Sequence, residues 1–472
     1  MYSLITLVIS YLVFLTAYAW ESVPYFELMT VLIGLHGYVA VTSTSANLLY
    51  ILRYFLVWIL IILTAFVWYW FDGEVFVAPF GVTYQTAENT RLLVLAGTFS
   101  LCGSLMGWHV ALMRFKYRRY ANFELSGTHR KLIKIGGMVL AVSAALLYVW
   151  KAGGIVGGGK VYSDGQKGFD LDFNIFNILH YTGISLLLLV AVRGLRIQKH
   201  YLIFAILTLI LGMLVGSRAD YLPQAFVLLM LIYNQQVVEI FAKRQYVRLM
   251  KAFLLVVAVL IAGYFAASFI AIWRYGVSPE NVLKIMFESD RGLLIREQYG
   301  HKMLWIETGN MMLGGAYSAI VQVNEGITGF LYGQSYVDYL LKAPPAFLGL
   351  PRPEGLEHFT AINGQIMSQG GIFEVAEGYW NFGILGCVAI SFLISYAFGW
   401  LLKRGLRYNS YFFLTWYLVF GFMGVRAVWY QNFSYFRIMT VMLILYVAAS
   451  VAFKWFVSGT SAPQVNQAQV AR

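Results

Sequence analysis

Residues 252–273 read AFLLVVAVLIAGYFAASFIAIW, a run of twenty-two apolar and small residues without a charge. Lys251 precedes the run and Arg274 follows it. A stretch of this length crosses the roughly 30 Å hydrocarbon core of a bilayer as an α-helix, because a helix pairs its backbone polar groups internally. The run therefore predicts a transmembrane helix.

The same pattern recurs along the chain. Apolar residues make up 60% of the 472 residues and charged residues only 12%, against roughly 25% charged in a soluble domain. We predict an all-α, polytopic integral membrane protein of about 12 transmembrane helices. The first predicted helix, residues 3–19, resembles a secretory signal peptide but lacks a positively charged n-region, so we interpret it as an uncleaved transmembrane helix. The predicted spans are residues 3–19, 25–42, 53–71, 91–112, 132–150, 174–192, 201–216, 221–233, 252–273, 382–402, 411–428 and 438–457.

The spans divide the chain into four regions. Residues 1–273 hold transmembrane helices 1–9, residues 274–381 a large outward loop with short helices, residues 382–457 helices 10–12, and residues 458–472 a disordered cytoplasmic tail. The positive-inside rule assigns the basic loops 113–131, 193–200, 234–251 and 403–410 to the cytoplasm, which puts both termini there. Only Glu124 and Glu239 of the 22 acidic residues then lie on that side. The net charge of +12 is therefore a topology signal and predicts no nucleic-acid partner.

Two segments of the large loop have a predicted conformation of their own. Residues 303–323 are almost long and apolar enough to span, but a crossing there would turn the basic loop 403–410 outward, so we predict a surface or re-entrant helix. Prolines at 344, 345, 351 and 353 predict a stiff, extended segment.

The motif GSRAD, residues 216–220, interrupts two unusually short apolar runs. A broken helix pair at that depth is tolerated only where it is buried in protein or lines a wet cavity, and a charge there indicates function. Arg218 is the candidate. The alternative is a tight hairpin in which Asp220 caps the next helix and Arg218 extends to the interface.

Three more arginines fall at predicted outer helix ends: Arg274, Arg426 and Arg437. Guanidinium groups bind phosphate oxygens in bidentate fashion, so such a ring suits a lipid pyrophosphate. The alternative interpretation of each arginine is that it only anchors its helix at the membrane interface. Aromatic residues share this level, and their rings could stack on sugars or form an ordinary aromatic belt. The sugar-binding candidates are Tyr275, Tyr379, Trp380 and Trp429.

The large loop carries most remaining groups able to transfer a proton. Each is individually more typical of a solvated surface, and no HExxH or DxD spacing indicates a metal site. Cys102 and Cys387 both lie in apolar runs, so neither a disulfide framework nor a thiolate site is predicted. No cofactor or metal is expected.

Four stretches give the sequence a family resemblance: GSRAD, WRYG at 273–276, GITGFLYGQSYVDYLLKAPPAFLGLPRP at 326–353 and GGIFEVAEGYWNFGILG at 370–386. A fifth, GVRAVWYQNFSYFR at 424–437, is weaker. Together they resemble the Wzy-type O-antigen and oligosaccharide repeat unit polymerases of the bacterial inner membrane. The resemblance covers roughly residues 200–440.

The resemblance implies transfer of a growing glycan from undecaprenyl pyrophosphate to a sugar hydroxyl of the next lipid-linked repeat unit, at the periplasmic face. Donor and acceptor lipids and the bilayer are the expected partners, with a chain-length-determinant co-polymerase as a further one. Catalysis then needs positioning, stabilisation of the leaving pyrophosphate and removal of one proton. Glu377 is the first candidate base, followed by His358 and Asp290. The pyrophosphate candidates are Arg218, Arg274, Arg426 and Arg437, with Arg291, Arg296 and Arg352 behind them.

Three other functions remain open. An O-antigen ligase shares the span plan and the donor, but His358 lies in Glu-His-Phe-Thr and not in the His-Asn-x-Tyr setting associated with ligases. A polysaccharide flippase or transporter would also be a basic protein of about a dozen spans, yet transporters commonly show repeated halves and midplane charges. A lipid-phosphate-sugar glycosyltransferase is a third reading, although its first outer loop would have only Glu21 as an acidic residue.

Overall fold

The computed structural model describes residues 87–113, 127–152, 171–192, 198–214, 278–287, 295–298, 301–304, 329–348, 374–408 and 410–429, with isolated residues outside these ranges. The predicted spans at 3–19, 25–42, 53–71, 221–233, 252–273 and 438–457 lie wholly or mostly outside the described residues, as does the tail at 458–472.

Eight helices and one hairpin make up the described elements. The helices are α1 (Ala87–Leu112), α2 (Gly127–Lys151), α3 (Leu171–Val192), α4 (Lys199–Leu214), α5 (Pro279–Phe287), α6 (Gln334–Leu348), α7 (Glu374–Arg407) and α8 (Tyr411–Trp429). Four stretches are long and apolar enough to cross a bilayer: Arg91–Leu112, Lys131–Lys151, Glu374–Arg407 and Tyr411–Val428. The protein is therefore a helical membrane protein, as the apolar runs predict.

α7 consists of two helical arms. Phe382 (φ −144°, ψ 20°) and Gly383 (φ 64°, ψ −151°) interrupt it, and we name residues 374–381 the short arm and residues 384–407 the long arm. The long arm has roughly 24 residues, or about 36 Å at the helical rise, which suffices to cross a bilayer by itself.

α1 and the long arm pack side by side through small residues. Ser100 and Ser104 of α1 form hydroxyl hydrogen bonds with Ser391 (2.6 Å) and Ser395 (2.7 Å). Because both sequence numbers increase together, the two helices are parallel. A Cβ at Gly107 would clash with the backbone of the long arm at Phe392, so glycine there allows the close approach typical of membrane helix pairs.

A lysine of the long arm binds the C-terminal end of α1. Lys403 Nζ donates to the carbonyl oxygens of Ala111 (3.1 Å) and Met113 (3.5 Å). The last carbonyls of a helix have no partner within that helix, and a cation at this position also favours the negative end of the helix dipole. With Arg404 and Arg407 in the same last turn, this is the basic end of the bundle.

The other helices pack around this pair. α8 returns antiparallel to the long arm, with Phe398 stacked on Tyr417 at 4.6 Å between ring centroids. α2 and α3 meet antiparallel where Gly137 and Gly183 bring their backbones together. Tyr181 of α3 stacks on Phe422 of α8 at 6.1 Å, which joins the two pairs in one apolar core.

One expectation for the large loop is corrected, and another is tested only near its ends. Residues 303 and 304 of the predicted helix 303–323 belong to β2 (His301–Leu304), which pairs antiparallel with β1 (Ile295–Gln298), whereas residues 320 and 323 are helical and the others lie outside the described residues. Tyr299-Gly300 lies between these strands in the sequence, and a glycine there is a hairpin signal that the apolar count overlooked. The first two prolines of the predicted extended segment, Pro344 and Pro345, lie in α6. The ten residues that precede them in this helix can form its backbone hydrogen bonds, and the prolines interrupt these bonds only near its C-terminal end.

We predict that Gly107→Ala lowers the free energy of unfolding by about 1–3 kcal/mol, because the added methyl forces α1 away from the long arm. Gly136→Ala is the matched control, since nothing lies within 4 Å of a Cβ there and alanine favours a helix. The measurement is thermal unfolding of the detergent-purified protein. Equal melting temperatures for both variants would contradict the close-packing account.

Candidate functional site

The short arm of α7 folds back along the start of the long arm. Cys387 Sγ lies 3.4 Å from the carbonyl oxygen of Val375, and a Cβ on Gly378 would lie 3.3 Å from the Cα of Cys387. Residues twelve apart in one straight helix would be about 18 Å apart along the axis. The positive φ of Gly383 makes this reversal possible at little steric cost.

The segment before α6 attaches to the open end of the short arm. Leu331 N donates to Trp380 O and Tyr332 N donates to Asn381 O, both at 3.0 Å. Gly333 N donates to Asn381 Oδ1, also at 3.0 Å. Tyr332 has φ 47°, an uncommon conformation for a residue with a side chain. Carbonyls left unpaired where the helix ends are therefore satisfied by another part of the loop.

Asn381 connects this attachment to a buried carboxylate. Its Nδ2 donates to Ser335 Oγ at 2.8 Å and to the backbone oxygen of Glu377 at 2.9 Å. Ser335 Oγ in turn donates to Glu377 Oε1 at 3.3 Å. The phenol of Tyr339 lies close enough to Glu377 for the carboxylate to raise its pKa. α6 and the short arm are thus joined by a polar network around Glu377, which is fully buried.

Two further carboxylates are buried beside this network. Glu374 lies one turn before Glu377 on the short arm, and Asp338 lies one turn after Ser335 on α6. Burial raises the pKa of the Tyr339 phenol well above its usual value, and the charges of Glu377 and Asp338 add to the effect. The phenol therefore stays protonated at neutral pH and is available as a donor.

α6 presents its polar side to the protein and an apolar side outward. Ser335 and Asp338 are buried, whereas Val337 is 54% exposed and Leu340 is 55% exposed. A helix at an aqueous surface would show the opposite pattern. Apolar residues that face outward from a membrane protein suit contact with lipid, and the polar residues are enclosed between α6 and the short arm.

The structure brings some of the predicted site residues into this region. Glu377 lies at its centre. Tyr379 is nearly buried, and its phenol donates to Asn324 Oδ1 at 3.3 Å. Trp380 is fully buried in the apolar core, so its ring has no open face for a sugar. Arg426 is partly exposed in the last turn of α8, and Trp429 ends that helix.

Other predicted site residues are not part of the described region. Arg296 pairs with Met303 in the hairpin backbone. The remaining candidates lie outside the described residues: Arg218, Arg274, Arg291, Arg352, Arg437, Asp290, His358 and Tyr275.

One hydrogen bond attaches the segment that follows GSRAD to the bundle. Nδ1 of His180, in α3, lies 3.0 Å from Oε1 of Gln224, four residues after Asp220. An amide oxygen only accepts, so His180 Nδ1 carries the proton in this contact. Both side chains are buried. The contact fixes the chain close behind the predicted break at Arg218.

Sequence reasoning missed Ser335, Asp338 and Tyr339. The run QSYVDYLL, residues 334–341, carries the signal, because Ser335 and Asp338 share one helical face while Val337, Leu340 and Leu341 lie on the other. The sequence indicates Asn381 only through the family-like motif at residues 370–386. Within the described ranges, no group of His, Cys, Asp and Glu side chains is arranged to hold a metal ion.

No protein-family model matches the chain, and no curated protein or solved structure matches it.

We predict that Asn381→Ala raises hydrogen exchange at the amide of Gly333 by roughly fivefold, since this amide loses its side-chain acceptor and about 1 kcal/mol is lost per hydrogen bond removed. Mass spectrometry of peptides covering residues 329–341 measures this. Ser410→Ala, which removes a cap contact to Phe413 N elsewhere in the bundle, is the control. Unchanged exchange in Asn381→Ala would contradict the attachment.

Proposed function

We propose that the protein joins undecaprenyl-pyrophosphate-linked oligosaccharide repeat units into O-antigen or a related surface polysaccharide. The observation that carries the proposal is the enclosed polar network of Glu377, Asn381, Ser335 and Tyr339, at the end of a membrane-spanning helix opposite its basic end. Polar side chains concentrated beside a bilayer suit a substrate that is half lipid and half sugar.

The parallel packing of α1 and the long arm supports the predicted topology. Two parallel helices are separated by an odd number of membrane crossings, and five spans are predicted between them. A sixth crossing at residues 303–323 would make the two helices antiparallel. The basic end, with Lys403 and Arg404, then faces the cytoplasm by the positive-inside rule, and the short arm faces the periplasm of a bacterial inner membrane.

The same geometry supports the pyrophosphate-binding role proposed for Arg426. α8 runs antiparallel to the long arm, with Phe398 stacked on Tyr417 and against Phe420. Arg426 follows Phe420 by six residues, so it lies about two helical turns nearer to the short arm than the contact between Phe398 and Phe420. A guanidinium at that level is suited to hold the leaving pyrophosphate, because it keeps its charge and offers paired donors. The donor is already activated, so no nucleotide sugar is required.

The outward apolar side of α6 supports a route for lipid-linked substrates. Val337, Leu340 and Leu341 are exposed on the helix that covers the polar network. In the proposed topology they contact acyl chains of the outer leaflet, and the polyprenyl chains of donor and acceptor approach from the same leaflet. A chain-length-determinant co-polymerase is the further partner we propose.

We predict that Arg218→Ala and Arg426→Ala each abolish long-chain glycan in a strain deleted for the gene, while lipid-A cores carrying a single repeat remain. The charge that stabilises the departing pyrophosphate is lost in both variants. Gel banding of extracted glycolipids measures chain length, with membrane levels of each variant checked by immunoblot.

The matched control is Arg404→Ala. Its guanidinium stacks on Trp400 (5.2 Å) and Tyr408 (5.4 Å) at the basic end, so this variant should keep long chains. Normal polymer from a well-expressed Arg426→Ala variant would remove Arg426 from the site. A deletion strain with bare cores would indicate a ligase, and unchanged banding in that strain would reject both activities.

A further inference from the structure

Asp338 is a buried carboxylate, and no donor among the described residues reaches its Oδ2. The residue is 2% exposed, and its Oδ2 accepts no hydrogen bond within the described part of the chain. A buried carboxylate is normally paired or hydrogen-bonded, because its charged form loses its hydration without compensation. An exception beside a polar cluster indicates a group kept for function.

Glu377 differs from Asp338 in its partners. Ser335 Oγ donates to its Oε1 at 3.3 Å, and the Tyr339 phenol lies close to its carboxylate. Its backbone oxygen accepts from Asn381 Nδ2. A carboxylate that already accepts a hydrogen bond from a hydroxyl group is held in place and is a weaker proton acceptor. The network therefore assigns Glu377 to joining α6 to the short arm.

Asp338 faces the same cluster. It immediately precedes Tyr339, and its charge acts on the phenol that Glu377 contacts. The ring of Tyr339 lies against Tyr336 at 6.4 Å and against Phe436 at 5.8 Å between centroids. These rings exclude water from one side of the cluster. Low water content strengthens every electrostatic interaction within it.

We propose that Asp338, and not Glu377, accepts the proton during glycosyl transfer, an inference that rests on the function proposed above. The acceptor hydroxyl oxygen forms a bond to the anomeric carbon of the donor sugar while the bond from that carbon to the pyrophosphate oxygen breaks. The electron pair of the broken bond leaves with undecaprenyl pyrophosphate. The hydroxyl proton moves to Oδ2 of Asp338 and from there to water.

Access to Asp338 requires movement of α6. The segment before this helix is attached by the three hydrogen bonds to Trp380 and Asn381, whereas Val337 and Leu340 face outward. Displacement of α6 on this outward side opens the cluster while the attachment at its start persists. A helix that covers a site and moves for each substrate is a common gating device.

The experiment uses the full-length protein in proteoliposomes and lipid-linked repeat units extracted from a strain that lacks the gene. Asp338→Asn keeps the shape of the side chain and removes its basicity. Turnover should fall by at least about a hundredfold, while the melting temperature stays equal or rises because a buried charge is gone. Glu377→Gln is the comparison and should lower the melting temperature.

The remaining outcomes are also decisive. A loss smaller than a hundredfold in Asp338→Asn, or a lowered melting temperature, overturns the role of Asp338 while the polymerase proposal stands. If the wild-type protein joins no repeat units under the same conditions, the proposed function fails and the role of Asp338 fails with it.

Discussion

A helix that breaks beside a bilayer leaves backbone and side-chain polar groups that only the protein itself can satisfy. α7 breaks at Phe382–Gly383, and the carbonyls of Trp380 and Asn381 are then paired by the amides of Leu331 and Tyr332. This pairing fixes where α6 begins, and so brings Ser335, Asp338 and Tyr339 to Glu377. The polar network, the enclosed carboxylates and the proposed chemistry all depend on this one reversal of the chain.

The reversal is supported by a rigid pair of helices. Small residues let α1 and the long arm approach through Gly107 and the Ser100–Ser391 and Ser104–Ser395 hydrogen bonds. In lipid there is little hydrophobic drive between helices, so close packing and hydroxyl contacts are the main source of their association. A rigid pair of this kind holds the short arm and Arg426 at fixed heights, as the proposed transfer between two substrates would need.

The sequence predicted the helices well because their signal is local. Apolar runs at 91–112, 132–150 and 411–428 coincide with α1, α2 and α8. Glu377 was found because an unusual motif surrounds it. Asp338 was missed because a loop residue was assumed to face water, and only the contact between α6 and the short arm shows that it does not. Long-range contacts of this kind leave no periodic signal, and the glycine at 383 does not reveal the direction in which the chain turns.

The polymerase account predicts a fixed stoichiometry that can be measured directly. Purified protein in proteoliposomes, supplied only with radiolabelled undecaprenyl-pyrophosphate-linked repeat units, should release one undecaprenyl pyrophosphate for each new glycosidic bond and form a ladder of products. Chain growth without that release, or a requirement for a nucleotide sugar, would contradict the account.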